Sequence, residues 1–306
     1  MSFVSSRPSW FTSSESCRYL IDGVLVIDKP QGLTSHDVVA VARRALGERR
    51  IGHTGTLDPL ATGVLPLACG RATRLVRFLT ASDKEYQATI RFGVTTDSYD
   101  VTGTETSRSG LRPDRDAVTR ALTSLTGSYL QTPPAFSAKK VAGRRAYDMA
   151  RREQPVELSP VPVTVTTAEL DAFTGDTAQV RLVCSAGFYV RAFAYSLGEL
   201  TETGACLESL RRTRSGEFTL ETATTLEQLS SGVPPVAVLP MDRLLAALPA
   251  VTVTGEGRNR VSRGQDVEGA SGTGEWVRLM DGDGRLVAMA RPGTRPGLLH
   301  PAVVLI

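Results

Sequence analysis

The sequence predicts an α+β protein, in which a mainly antiparallel mixed sheet flanked by helices is followed by a small β-barrel. Three observations carry this. Short apolar runs bounded by turn residues suit strands, as in Val24-Leu25-Val26-Ile27 before Asp28-Lys29-Pro30-Gln31-Gly32. Stretches with helical apolar spacing are mixed among them. From Leu244 onward the pattern changes to short strands around glycine-rich turns. At 306 residues the chain can bury a sizeable core and has room for one large domain plus a small one.

Composition excludes several function classes. Hydrophobic residues make up 41% and charged residues 22%, the balance of a soluble globular protein. Four cysteines without a CxxC pair and three histidines argue against a zinc site and a disulfide framework. No run approaches the length of a membrane span, and the serine-rich start lacks the apolar core of a secretory signal, so the expected location is cytosolic. Net charge is only +3, but basic residues cluster at Arg43-Arg44, Arg71-Arg74-Arg77, Lys139 to Arg152, Arg211-Arg212-Arg214 and Arg258-Arg260-Arg263. One such cluster reads as a solvated face; several in one chain favour a polyanion such as RNA.

Taken in order, residues 1–20 read as a flexible serine-rich extension. Val24 to Ile27 is a buried strand. Thr34 or Ser35 then caps a helix running to about Leu46, with Val38, Val39, Ala42 and Leu46 on its inner face. The run from Gly52 to Gly63 is too rich in glycine and proline for a helix or regular strand and reads as a loop, seated on the core by the apolar Val64 to Gly70. Such a loop fixes one carboxylate, Asp58, and a buried carboxylate needs a partner or a purpose. Arg71 to Leu79 reads as a helix. Lys84 to Val94 reads as a strand with Tyr86, Ala88, Ile90 and Phe92 on one face. Pro113 to Thr126 forms an amphipathic helix, Val161 to Leu170 and Ala178 to Cys184 form strands, and a helix runs from about Ala192 to Leu200. The expected domains are 21–243, with a basic, glycine-hinged insertion at about 131–153, and 244–306.

Residues 52–63 spell GHTGTLDPLATG, which resembles without a change the catalytic loop of the TruB family of tRNA pseudouridine synthases. Other strings carry the same likeness: DKPxGxTSxD at Asp28 to Asp37, KxYxA at Lys84 to Ala88, CSxGxYxR at Cys184 to Arg191, and GAxxxxLRR at Gly204 to Arg212. The resemblance runs from about residue 23 to 218. A looser one, to a PUA-type RNA-binding barrel, covers the remainder. The chain departs from the family pattern at Ala142, Ala186, Phe188 and Ser196, which leaves Tyr189 and Arg191 intact.

The resemblance implies a catalytic set of Asp58, Tyr86 and Arg191. Asp58 is the essential group, Tyr86 stacks on the target base, and Arg191 partners Asp58; a guanidinium suits this by donating in a planar fork to a carboxylate. By chemistry alone Tyr86 equally fits a half-buried strand aromatic. Lys29 braces the site in the family pattern, although as a bare lysine it equally fits the surface. The same likeness assigns Tyr189 a site role, Leu210 a place against the pocket, and Asp100, in preference to Asp97, a place in the hydrogen-bond network. His53 enters the stack vacated by a flipped base. The insertion resembles the family's RNA-gripping thumb, with Lys140 and Arg144 among its contacts.

The implied reaction isomerises a uridine and needs no cofactor and no metal. The implied partner is the T stem-loop of tRNA, modified at position 55, and a monomer is the default expectation. Whether Asp58 attacks the sugar at C1′ or abstracts a sugar proton stays open. Two other classes compete: a glycosidase-like hydrolase, for which no second carboxylate is evident, and an RNA-binding or tRNA-folding protein whose chemistry is lost or secondary.

Overall fold

The computed structural model describes residues 21–137, 139–141, 144–145, 158–231, 238–270 and 274–306. The expected extension at 1–20 and most of the insertion beyond residue 137 therefore lie outside the described residues. The large sheet contains β1 (Gly23–Lys29), β2 (Ile51–His53), β3 (Thr62–Cys69) and β4 (Lys84–Phe92). Two further strands, β5 (Val94–Thr96) and β6 (Glu105–Arg108), form a separate hairpin. The large sheet continues with β7 (Gly127–Gln131). The short β8 (Lys140–Val141) and β9 (Arg144–Arg145) pair with each other. Then come β10 (Val161–Phe173), β11 (Thr177–Cys184), β12 (Ala205–Ser215), β13 (Phe218–Thr219) and β14 (Val238–Pro240). Strand order is β14-β1-β3-β12-β4-β11-β10-β7, with β2 on β3 and β13 on β12.

Among the described residues, every strand pairing in this sheet is antiparallel except one. β12 runs parallel to β3, aligning Arg211 with Thr62 and Arg212 with Gly63. That junction puts the start of β3, and with it the end of the Asp58 loop, beside the middle of β12. On its other side β12 pairs with β4, and Arg212 lies opposite Tyr86.

The apolar runs of β1 and β3 have a physical cause, since both faces of these strands are covered. Leu25, Ile27, Leu65 and Leu67 face a core completed by Val38, Val39 and Ala42 of the helix Ser35–Leu46 and by Phe193, Ala194 and Leu197 of the helix Val190–Leu200. Val24, Val26, Val64 and Ala68 face a second core shared with Met241, Leu244, Leu286, Met289 and Leu305. β4 has one covered face and alternates accordingly, with Lys84, Tyr86, Ala88, Ile90 and Phe92 buried. Thr34 supplies the cap of the first helix in a reciprocal box with Asp37, and Gly47 ends that helix at φ 62°.

The C-terminal unit is a five-stranded curled sheet with its own core. Its strands are β15 (Ala250–Thr252), β16 (Val267–Glu268), β17 (Val277–Met280), β18 (Leu286–Pro292) and β19 (Leu298–Val304), in the order β15-β17-β18-β19-β16. The expected fold class, an α+β sheet unit with a small C-terminal β unit, is the one observed.

Three local expectations need correction. The run from Gly52 to Gly63 is not loop throughout: Ile51–His53 pairs with Leu67 to Cys69, and Thr62 and Gly63 already belong to β3. The cluster Arg71-Arg74-Arg77 does not face outward as a block. Arg71 bonds Asp22 and the Leu305 carbonyl, Arg74 bonds the Val304 carbonyl, and Arg77 lies 4.6 Å from the ring centres of both Phe78 and Trp276. These arginines knit the large sheet to the C-terminal unit. Within Arg211-Arg212-Arg214, Arg211 pairs with Asp28, Arg214 with Glu85, and Arg212 is buried at 1% exposure.

Gly63 is required at the junction. Its φ is +98°, and a Cβ there would lie 2.2 Å from the Arg212 carbonyl oxygen. Gly63→Ala is expected to lower unfolding free energy by about 3 kcal/mol, read from the urea midpoint.

Candidate active site

A cavity of about 340 Å³ opens where the Asp58 loop, β4, β12 and the start of the helix Val190–Leu200 meet. Asp58, Tyr86, Tyr189, Arg191, Leu210 and Arg212 line it. The Asp58 loop is held from both sides of the carboxylate. Ser35 donates from Oγ to the Leu57 carbonyl at 3.0 Å and accepts from the Leu57 amide at 2.9 Å. Beyond Asp58, the Gly32 amide donates to the Pro59 carbonyl at 2.8 Å, and the Ala61 amide closes a turn on the Asp58 carbonyl at 3.0 Å. The DKPxGxTS segment thus brackets the loop that carries Asp58.

Arg191 Nε lies 2.9 Å from Asp58 Oδ2 and 3.7 Å from Asp100 Oδ2. The guanidinium does not present a fork to Asp58. Its Nη1 donates to the Ser98 carbonyl at 2.9 Å and its Nη2 to the Phe136 carbonyl at 2.7 Å, leaving only Nε for the carboxylates. This spread pins Arg191 to three segments and fixes the direction of its Nε–H. The Asp58 side chain, expected to be buried, is 43% exposed, so the carboxylate is both restrained and accessible from the cavity.

Asp100 is buried, and its Oδ1 accepts from Ser98 Oγ at 3.0 Å and from Thr102 N and Oγ1 at 2.9 and 2.5 Å. Asp97 instead accepts from the Thr104 amide at 2.8 Å. Tyr189 is anchored through its backbone: its amide donates to Gln131 Oε1 at 2.9 Å, and Gln131 Nε2 donates to its carbonyl at 3.1 Å.

Lys29 is fully buried, which disposes of the surface reading, and its Nζ donates to the carbonyls of Pro30 at 2.9 Å and Leu33 at 2.6 Å. It stiffens the turn that brackets Asp58. His53 does not line the cavity. It ends β2 with its ring against His36, centroids 5.5 Å apart, and its buried Nδ1 has no hydrogen-bond partner among the described residues. Burial first, then the charges of His36 and Arg212, push the His53 imidazole below its usual range, which keeps it neutral at pH 7. Lys140 and Arg144 sit at the ends of the β8–β9 pair, and their side chains lie outside the described residues.

Burial raises the Tyr86 and Tyr189 hydroxyls above their usual range; the Arg212 charge opposes it at Tyr86, and the nearby Ser137 hydroxyl opposes it at Tyr189. Lys84, whose Nζ donates to the carbonyls of Thr80 and Ser82, is pushed down to about 8 by burial and then by Arg212. From about pH 8 to about pH 10.5 the unfolded chain therefore retains a proton that folded Lys84 has released, so stability rises with pH across that window. Below it both states are protonated and the buried ammonium costs its full amount. Wild type is expected to gain about 2 kcal/mol relative to Lys84→Met between about pH 8 and about pH 9.5, read from urea midpoints.

The family model for the N-terminal domain of TruB family pseudouridylate synthases matches residues 43–190. A tRNA pseudouridine synthase B from Solibacter usitatus is 44% identical over 294 residues, covering 93% of this chain and 100% of that protein. Another, from Thermobifida fusca, is 41% identical over 298 residues, covering 93% and 99%. The chain belongs to the TruB family. It is a pseudouridine synthase, an isomerase. Among solved structures, an archaeal box H/ACA sRNP Nop10-Cbf5 complex matches with a TM-score of 0.72 at 25% identity, over 94% of this chain and 87% of that one. A Cbf5-Nop10-Gar1 complex matches with a TM-score of 0.73 at 26% identity, over 94% and 86%.

Sequence reasoning missed four residues of this TruB site. Ser35 was visible only as a helix cap, Lys84 as the first residue of a strand, and Gln131 as the first residue of the basic, glycine-hinged insertion. Arg212 was read as part of a basic cluster. For Arg212 the available signal is its place beside Leu210 in the LRR string, and two bulges in β12 break the alternation that would have assigned it a face.

Proposed function

We propose that this pseudouridine synthase acts on tRNA, converting the T-loop uridine at position 55 by base flipping, with Asp58 as its essential catalytic group. The observation that carries the reading is the Asp58 carboxylate, aimed by Arg191 Nε at 2.9 Å into a cavity whose walls include Tyr86 and Tyr189. Full-length likeness to proteins named tRNA pseudouridine synthase B supports the substrate class.

The reaction breaks the N1–C1′ bond of a uridine, turns the uracil and joins C5 to C1′; the C5 proton is lost and N1 gains one. Atoms balance without a redox partner or group donor. Asp58 acts at the sugar, either on C1′ or on a sugar proton. Tyr86 stacks on the uracil and takes part in proton loss at C5, Leu210 and Tyr189 confine the ring, and Arg191 orients Asp58. A paired uridine reaches such a cavity only after extrusion, which costs a few kcal/mol of unstacking. A neutral His53 ring, apolar in its faces, suits the vacated stack. Lys140 and Arg144 on the insertion grip the phosphates.

The discriminating experiment digests the reacted tRNA to nucleosides and assays the supernatant for free uracil. Pseudouridine in proportion to uridine lost, with no free uracil, is the expected result. Free uracil with an abasic ribose would make the protein a hydrolase and overturn the reading.

A further inference from the structure

We propose that Arg212 is a positioning residue for the isomerisation, tying the Asp58 loop to the strand that carries Tyr86 at the cavity wall. The proposal rests on the reading of Tyr86 as a base-facing residue.

Arg212 occupies a strand position that touches both halves of the site. Across the parallel junction it aligns with Gly63, the last residue of the Gly52–Gly63 run, and across the antiparallel pair it faces Tyr86. Its guanidinium serves two carbonyls. Nε donates to the Val64 carbonyl at 2.7 Å, and Nη2 donates to the Gly55 carbonyl at 3.1 Å, three residues before Asp58. The same side chain lies opposite Tyr86 in the strand pair and lines the cavity with it. A lysine ammonium, a single point of charge, does not reproduce this planar spread.

Its charge is unusual for its depth. Arg212 is among the largest fully buried side chains, yet no carboxylate forms an ion pair with it among the described residues. Two backbone carbonyls satisfy part of the guanidinium, but neither neutralises it. A buried arginine serving only to anchor backbone would gain from a paired carboxylate. An unpaired one leaves a positive potential beside the Tyr86 phenol, where it favours the phenolate, the form able to accept the C5 proton. The other titratable groups that act on Tyr86 are Cys184 and Asp58, both of which oppose a phenolate; Lys84 lines the same cavity.

The test replaces Tyr86 by 3-fluorotyrosine and follows its ¹⁹F titration in the full-length protein, with Arg212 intact and as Arg212→Met. Single-turnover rates at saturating tRNA are measured alongside. The expected result is a midpoint raised by about one unit in Arg212→Met, a rate lowered about tenfold or more, and a tRNA Kd within about twofold of wild type. A midpoint that does not move overturns the proposal, whatever happens to the rate, because loss of a backbone anchor alone leaves the phenol's electrostatics in place. A moved midpoint with a wild-type rate overturns it too. Should Arg212→Met fail to fold, Arg212→Gln, which keeps a donor but not the charge, is read by the same two criteria. Failure of the functional reading looks different: wild-type protein then forms no pseudouridine, while the titration comparison is unaffected.

Discussion

Asp58→Asn is expected to lower pseudouridine formation by roughly 10³-fold or more while tRNA affinity stays within about twofold of wild type. The asymmetry follows from the geometry. Asparagine is nearly isosteric and preserves the turn closed by the Ala61 amide on the Asp58 carbonyl and the grip of Ser35 on Leu57, none of which uses the carboxylate. What it removes is the negative charge that Arg191 Nε aims into the cavity. Binding of a folded RNA is spread over many phosphate contacts and scarcely registers one carboxylate. Single-turnover kinetics with filter binding on the same preparation measure both quantities. A variant that still turns over at a tenth of the wild-type rate would remove Asp58 from the chemistry.

Arg191→Met is expected to fail in two ways at once. It strips the cation from beside buried Asp100 and leaves the carbonyls of Ser98 and Phe136 without their donor, so unfolding free energy falls by about 3–5 kcal/mol. The Asp58 contact adds little to that sum, because the Asp58 side chain is 43% exposed and water screens it. Its loss appears instead in the rate, by roughly 10²-fold or more, since Asp58 is no longer held in one direction. Arg191→Lys separates the effects. A lysine keeps the charge near Asp100 and most of the stability, but it cannot serve two carbonyls and two carboxylates together, so the rate stays about 10²-fold down. Urea unfolding and single-turnover kinetics read the two terms; a lysine variant of full activity would reduce Arg191 to a structural role.

Much of this molecule was legible in its sequence, and the gaps have identifiable causes. β1, β4, the helix Ser35–Leu46 and the glycine-rich C-terminal sheet announce themselves through local periodicity and capping, which depend on neighbours in the chain. The partnership of Asp58 with Arg191 was legible through the family likeness of two strings far apart in the chain and through simple charge complementarity. The fork geometry was not, because the carbonyls of Ser98 and Phe136 compete for the same guanidinium and carbonyl positions leave no mark in a sequence. The parallel pairing of β12 with β3 was equally hidden. It joins Arg211 to Thr62 and Arg212 to Gly63 across nearly half the chain, and nothing local signals it. From that pairing follow the burial of Arg212, the need for glycine at position 63, and the reassignment of an apparent RNA-facing arginine cluster to ion pairs and carbonyl bonds inside the protein. The arginines at 71, 74 and 77 teach the same lesson, since their partners Asp22, Leu305, Val304 and Trp276 come from the far ends of the chain.

The most direct test of the account is a pseudouridine map, at single-nucleotide resolution, of an unmodified tRNA transcript incubated with the purified protein and no added cofactor. Conversion is expected at the one T-loop uridine, position 55, and is absent with Asp58→Asn. Conversion at another position would contradict the substrate assignment, and a transcript bound tightly yet left unconverted would make the protein an RNA-binding or tRNA-folding factor instead.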